Sequence, residues 1–296
     1  MTEEKKEMIA ALIEQKMEDV TVMRLTVEKN NRTCKDGICI RKAGQNSGPI
    51  TYWDDILALC GEEYDDSTMA DCIICIVAPY LDFSADRQEI LCWEKCKDKV
   101  LPKLINAERN QERLKNLVHR KYLDLAEIYY TRIVVGDGSQ GNIEVTCALL
   151  KEWGIDQETL ERQAAENMKK QEYRLNSLEE MLGGVIPAES DTGTEKVPLQ
   201  ILTNREGIFG AAILGNPEFL KEVLGNEVGD CYLLPSSVHE LIVCPVESWM
   251  DEESLQEVVK EVNRNVVSEV DYLSDKVYYY NMNFVEISRV KGEEKI

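Results

Sequence analysis

The chain has 296 residues, 44% hydrophobic and 30% charged, which supplies a core and argues against global disorder. Lys and Arg number 34 against 55 Asp and Glu, a net charge of −21 that disfavours attraction to nucleic acid or to an anionic membrane. No apolar run approaches the roughly 20 residues that cross a bilayer.

The first stretch, Thr2–Asp19, predicts an amphipathic helix with Met8, Leu12, Ile13 and Met17 on one face. It is too charged for a secretory leader. With ten cysteines and no such leader, the expected setting is the reducing cytoplasm and the thiols are expected free. Most of them sit in apolar runs, where Cys acts as a small buried hydrophobe.

Val20–Lys29 and Ile38–Arg41 read as a hairpin, with Asn30-Asn31 and Asp36-Gly37 as turn formers. From Tyr52 to Cys96 the pattern is helical: Trp53, Ile56, Leu57 and Cys60 share a face. Ser67 would cap a second helix that Pro79 closes, and Ser84 a third. Val100–Ile105 fits a short edge strand because Pro102 cannot donate to a ladder. Ala107–Leu117 reads as a charged helix and Tyr122–Val135 as a central strand. Gly136–Gly141 is a turn, and Thr146–Trp153 with Asp156–Lys170 form two helices around Gly154. Another helix is expected over Leu175–Leu182.

Gly183–Lys196, rich in Gly, Ser, Thr and Pro, reads as a linker. Beyond it come strands at Leu199–Thr203 and Ile208–Leu214, a helix at Pro217–Leu224, strands at Cys231–Leu234 and Glu240–Cys244, an acidic helix at Asp251–Asn265 and a strand at Val277–Asn281. The tail, Lys291–Ile296, is expected to fray. The expected class is α+β. A helix-rich lobe covers residues 1–182, with a hairpin near 20–42. A linker follows at 183–197, then a mixed α/β lobe with a sheet at 198–296.

Chemistry-bearing residues are sparse. Cys72-x-x-Cys75 and Cys92-x-x-x-Cys96 invite zinc, but Ile73 and Ile74 separate the first pair on a helical run, so core packing is expected and no metal or cofactor. No P-loop, Rossmann or zinc-protease signature is present. His119 and His239 are the two histidines. In Pro235-Ser236-Ser237-Val238-His239-Glu240, Ser237 and His239 share a face of an extended chain at a spacing of ~6.5 Å, and Glu240 faces away. A local triad is therefore poor geometry. The weak catalytic candidates are His239, Glu240, Ser237 and His119. The binding candidates are Ser236, Ser237, His239, Asn204, Arg109 and Arg120. Asn204-Arg205-Glu206-Gly207 is expected to be a hairpin turn. The Leu150–Leu160 helix pair has helix-turn-helix spacing, but Glu158, Glu161 and Glu166 make it a poor phosphate reader. A basic stretch, Lys95–Lys121, complements the acidic Glu247–Asp275.

Leu202-Thr203-Asn204, Gly210-Ala211-Ala212, Tyr232 through Glu240 and Leu273 through Tyr280 resemble an uncharacterised bacterial family, domain of unknown function 5688, of gut Firmicutes-type anaerobes. Leu104-Ile105-Asn106, Glu108-Arg109-Asn110, His119-Arg120 and Leu123–Ala126 extend the resemblance over nearly the whole chain. It implies a cytoplasmic accessory role tied to mobile elements, and no reaction. Three functions stay open. The first is a non-enzymatic binding or regulatory protein with a protein partner. The second is a hydrolase or nuclease using His239 with Glu240, Ser237 or His119. The third is an acidic nucleic-acid mimic.

Overall fold

Residues 1–45, 48–61, 63–81, 87–134, 140–177, 199–225, 228–246 and 251–290 are described by a computed structural model. The fold is α+β, with three antiparallel sheets distributed over two units. One unit holds residues 1–96 and 132–143, the other 97–131 and 144–296.

In the first unit, the helix Glu3–Lys16 is capped by Thr2, whose hydroxyl accepts from the Lys5 N–H. Its buried face carries Ile9 and Ile13, one turn apart, while Met8 is turned to solvent. The hairpin pairs β1 (Val20–Glu28) with β2 (Cys34–Lys42), and β3 (Ile50–Tyr52) extends the sheet. Its turn uses Asn31 and Arg32, both at φ +59. Asp36-Gly37 is not part of that turn. It lies inside β2, where a Cβ on Gly37 would come within 2.7 Å of the Thr51 carbonyl. The glycine thus admits β3. Helices Trp53–Cys60 and Asp66–Val77 cover the sheet. Asp65, and not Ser67, caps the second of them through the Thr68 N–H, and this hydrogen bond holds the Asp65 carboxyl below its usual range. The core here is Ile9, Ile13, Ile38, Ile40, Trp53 and Met69 with their neighbours.

The second unit contains two sheets. In one, β4 (Val100–Asn106) is an edge strand beside β6 (Leu125–Val134), which β5 (His119–Tyr122) flanks on the other side and with which β7 (Gln140–Glu144) also pairs. The central strand expected at Tyr122–Val135 is β6, which starts at Leu125 because the chain turns at Leu123-Asp124 after β5. The other sheet runs β13-β12-β10-β11-β9-β8. Its strands are β8 (Tyr173–Ser177), β9 (Gln200–Asn204), β10 (Cys231–Leu234), β11 (Leu241–Pro245), β12 (Tyr278–Asn281) and β13 (Glu286–Arg289). Residues 175–177, expected to begin a helix, are thus strand. Ile208–Leu214, expected as a strand, is a 3-10 helix, Gly210–Gly215. Only Gln111–Leu114 of the helix expected at 107–117 forms. Helices Cys147–Trp153 and Gln157–Lys169 flank Gly154, whose φ of +67 ends the first. The linker at 183–197, the Ser84 cap, most of the Gly136–Gly141 turn and the tail at 291–296 lie outside the described residues. Among the described residues no helix is long and apolar enough to cross a membrane.

Candidate functional site

The Pro235–Glu240 turn is zipped to residues 271–274. Val238 N–H donates to the Asp271 carbonyl at 2.8 Å, Leu273 N–H to Ser236 at 3.0 Å and Ser274 N–H to Pro235 at 3.0 Å. Ser236 and Ser237 are buried by this pairing. The Ser237 hydroxyl accepts from the His239 backbone N–H at 3.1 Å, away from the ring.

The His239 ring is held on both edges. Phe209 donates its backbone N–H to Nδ1 at 3.3 Å. This makes Nδ1 an acceptor and assigns the ring proton to Nε2, which donates to Asp271 Oδ1 at 3.1 Å. Asp271 Oδ2 in turn accepts from Ser268 Oγ at 2.7 Å. The ring also stacks on Phe209, with centroids 5.4 Å apart. Phe209 takes φ +55 to aim its N–H there, and Lys103 Nζ sits 4.2 Å from its centroid. Gly210 must be glycine, since a Cβ would lie 2.6 Å from both the His239 carbonyl and Thr203 Oγ1. A general base needs a free nitrogen facing its nucleophile. His239 has none, and among the described residues Ser237 and Glu240 make no hydrogen bond to its ring.

The remaining predicted residues scatter. His119 is exposed on β5, with Nδ1 3.0 Å from the Leu117 carbonyl, and shares no partner with His239. Asn204 is buried and closes its turn by exchanging two hydrogen bonds with Ile208, at 2.8 and 3.1 Å. No return strand follows, so this is a turn but not a hairpin. Arg109 is paired at 2.5 Å with Glu269 and lies 3.8 Å from the Tyr272 ring centroid. Among the described residues no group of His, Cys, Asp or Glu is arranged to hold a metal ion. Cys96 is buried, but Cys75 is exposed, so that helical run does not bury all of its thiols.

Arg120 stands apart from these. It lines a cavity of about 380 Å³ with Glu127, Glu161, Met168, Val285 and the segment 215–218. Arg120 and Glu127 are direct cross-strand partners on β5 and β6. Arg120 Nη2 donates to Glu127 Oε2 at 3.0 Å and to the Gly215 carbonyl at 3.2 Å. Tyr129, two residues along β6 and so on the same face, donates its hydroxyl to Glu127 Oε1 at 2.8 Å. Glu127 is only 6% exposed. Burial pushes its carboxyl above the usual range, Arg120 and Tyr129 pull it back, and Glu161 adds to the rise. Burial also pushes the Tyr129 phenol above its usual range, which keeps it a donor. For Arg120, burial lowers the pKa, but Glu127 with Tyr129 and Glu161 raises it above the usual value, so the guanidinium stays charged. Two backbone features serve the same wall. A Cβ on Gly215 would fall 2.2 Å from Glu127 Oε2. Val285 holds φ +55, a strained conformation for a β-branched residue. Sequence reasoning missed Glu127, Tyr129, Glu161 and Gly215. The available signal was a lone acid, Glu127, in the otherwise apolar first half of β6.

The chain is therefore an α+β protein with a polar cavity and a histidine whose two ring nitrogens are both engaged. It belongs to a family of unknown function, DUF5688, whose model matches residues 2–282. No curated protein and no solved structure matches it.

Proposed function

We propose that the protein is a non-enzymatic binding protein and that the Arg120–Glu127 cavity is its binding site. The observation that carries this reading is the ion pair of buried Glu127 with half-exposed Arg120, lining a cavity of about 380 Å³, within the usual size range of small-molecule sites. Perturbed titratable groups in a cleft favour function over packing. The hydrolase or nuclease reading loses support because both His239 nitrogens are engaged. The net charge of −21 supports a basic protein as the partner that such a binding protein would regulate. Ten free thiols support a cytoplasmic setting. An accessory role tied to mobile elements rests on the family resemblance alone.

The test equilibrates the purified full chain with a small-metabolite extract, removes unbound material and identifies what is released on denaturation. A compound enriched by wild type and lost in Arg120→Gln/Glu127→Gln supports the reading. Equal enrichment in both, or none, overturns it. So does a hydrolytic activity that disappears in His239→Gln while the fold persists.

A further inference from the structure

The sheet of the first unit runs β1-β2-β3, so β1 bonds a neighbouring strand on one side only. The register says which of its groups face the other side. Just beyond β1 and β2, Lys29 N–H donates to the Thr33 carbonyl and Ala43 N–H to the Asp19 carbonyl. The odd-numbered residues of β1 therefore exchange hydrogen bonds with β2, and the even-numbered N–H and C=O groups point outward. One outward group has borrowed an acceptor: the Val22 N–H donates to Glu14 Oε1 at 2.9 Å. Further along, the Arg24 and Thr26 backbone N–H groups have no partner among the described residues. Arg24 is an exposed residue although its side chain keeps only 29% of its surface, so the main chain is what faces solvent.

An unpaired edge is a template for another strand, and proteins blunt such edges with brevity, Pro, a bulge or an inward charge. β1 has nine residues, no Pro and an unbroken register with β2. Among the described residues no edge strand is longer. Its one cation, Arg24, is turned to Glu3 and Glu7 of the helix Glu3–Lys16.

The two sides of this edge differ in chemistry. Met23, Leu25 and Val27 share one face, with Met23 41% exposed and the other two half-buried. Val22, Arg24, Thr26 and Glu28 share the face toward the helix. Glu3 is also paired with Lys6, so on that face Glu7, Glu14 and Glu28 stand against Arg24 alone. Lys29 and Lys35 lie over the Tyr52 ring on β3, across the sheet from the open edge. A second copy pairing here would bring the same carboxylates against themselves.

From this edge we propose that β1 docks an extended segment of a basic partner protein, added to the sheet as a fourth strand, in which Lys or Arg alternates with apolar residues. Its backbone pairs with Arg24 and Thr26, its cations meet Glu7, Glu14 and Glu28, and its apolar side chains cover Met23, Leu25 and Val27. The proposal goes beyond the cavity reading and does not depend on it.

The experiment titrates the full chain with a capped, fluorescent peptide of the length of β1 that alternates Lys with Val, read by anisotropy and by amide hydrogen exchange. Three matched peptides accompany it: the same residues in block order, Glu in place of Lys, and the alternating peptide N-methylated throughout. The alternating Lys peptide is expected to bind saturably, one to one, and to slow exchange at Arg24 and Thr26. The other three are expected to bind at least about tenfold more weakly, as are Thr26→Pro and Glu7→Gln/Glu14→Gln/Glu28→Gln toward the alternating peptide. Thr26→Pro removes an outward N–H that makes no ladder bond, and circular dichroism checks that the fold persists. Should that variant unfold, the N-methylated peptide against wild type decides. Equal binding of the block or N-methylated peptide, or of the alternating peptide to a folded Thr26→Pro, would reduce the attraction to charge and overturn the proposal. So would no binding at all. A free chain that is dimeric, with Arg24 and Thr26 already protected and released by Thr26→Pro, would give the edge to a second copy and overturn it too.

Discussion

Replacing Arg120 with Ala isolates the energetics of the cavity wall. Glu127 keeps only 8% of its side-chain surface and has two partners, Arg120 at 3.0 Å and Tyr129 at 2.8 Å. Two unit charges about 4 Å apart attract by about 4 kcal/mol at an effective dielectric of 20. The Arg120 side chain is 42% exposed, so solvent screening cuts this to about 2 kcal/mol. The variant also strands a buried carboxylate, and breaking a buried pair from one side costs about 3–5 kcal/mol. With the pair half solvated, the expected loss is about 3 kcal/mol at pH 7.5. In a Glu127→Gln background the same change should cost only about 1 kcal/mol, the value of an ordinary hydrogen bond.

The pH dependence follows from linkage. The folded-state pKa of Glu127 is raised, so its contribution to stability is fully present below the unfolded carboxyl value and is lost as pH rises through the folded one. Removing Arg120 raises the folded value further, which extends the loss to higher pH. The gap between wild type and Arg120→Ala should therefore narrow from pH 7.5 to pH 5. Urea unfolding followed by tryptophan fluorescence and far-UV circular dichroism measures both, with Trp153 reporting on the same unit. Equal cost in the two backgrounds, or an unchanged gap at the two pH values, would refute the argument.

Gly215→Ala places a methyl 2.2 Å from a carboxylate that is itself clamped, and should lower stability by about 1–3 kcal/mol by overpacking, seen as a reduced Tm. Val285→Gly relieves a φ of +55 and should raise Tm, unless the lost methyls matter more than the strain, in which case the strain argument fails. His239→Ala removes the Phe209 stack and two ring hydrogen bonds and should destabilise by about 2 kcal/mol, in a urea titration, without touching ligand affinity at the cavity. A thiol reagent at pH 8 should modify Cys34, Cys75 and Cys147 quickly. Cys231, buried and with its thiol pushed up to about 12, should react only after denaturation.

The sequence was informative where local chemistry decides. Asp156 caps the helix that follows it, as a short acceptor before a periodic run should, whereas Ser67 lies in the first turn of a helix that the equally short acceptor Asp65 caps. Pro102 marked an edge strand for an equally local reason. Local pattern failed where a distant partner decides. Gly210-Ala211-Ala212-Ile213-Leu214 is apolar enough for a strand, yet Gly210 must lie against the His239 carbonyl and Thr203, and this bends the chain into a 3-10 helix. Residues 175–177 look helical alone and become strand because β9 supplies a ladder. The Ser-Ser-Val-His-Glu stretch drew attention as polar residues in an apolar region. Its backbone pairs with residues 271–274, its Ser237 hydroxyl accepts from the His239 N–H, and the His239 ring is held by the Phe209 N–H and the Asp271 carboxylate. Arg120 was chosen for its charge, and the wall it completes depends on Glu127, which sequence alone could not pair with it without knowing the β5–β6 register.

The pairing of Ser177 with Gln200 across β8 and β9 has a practical consequence. Ser177 ends β8 and Gln200 begins β9, so the residues that flank the segment between them are held side by side by the ladder. The entropy of closing the intervening excursion grows only with the logarithm of its length. Shortening it, or inserting a reporter domain at its middle, should leave the strand register intact.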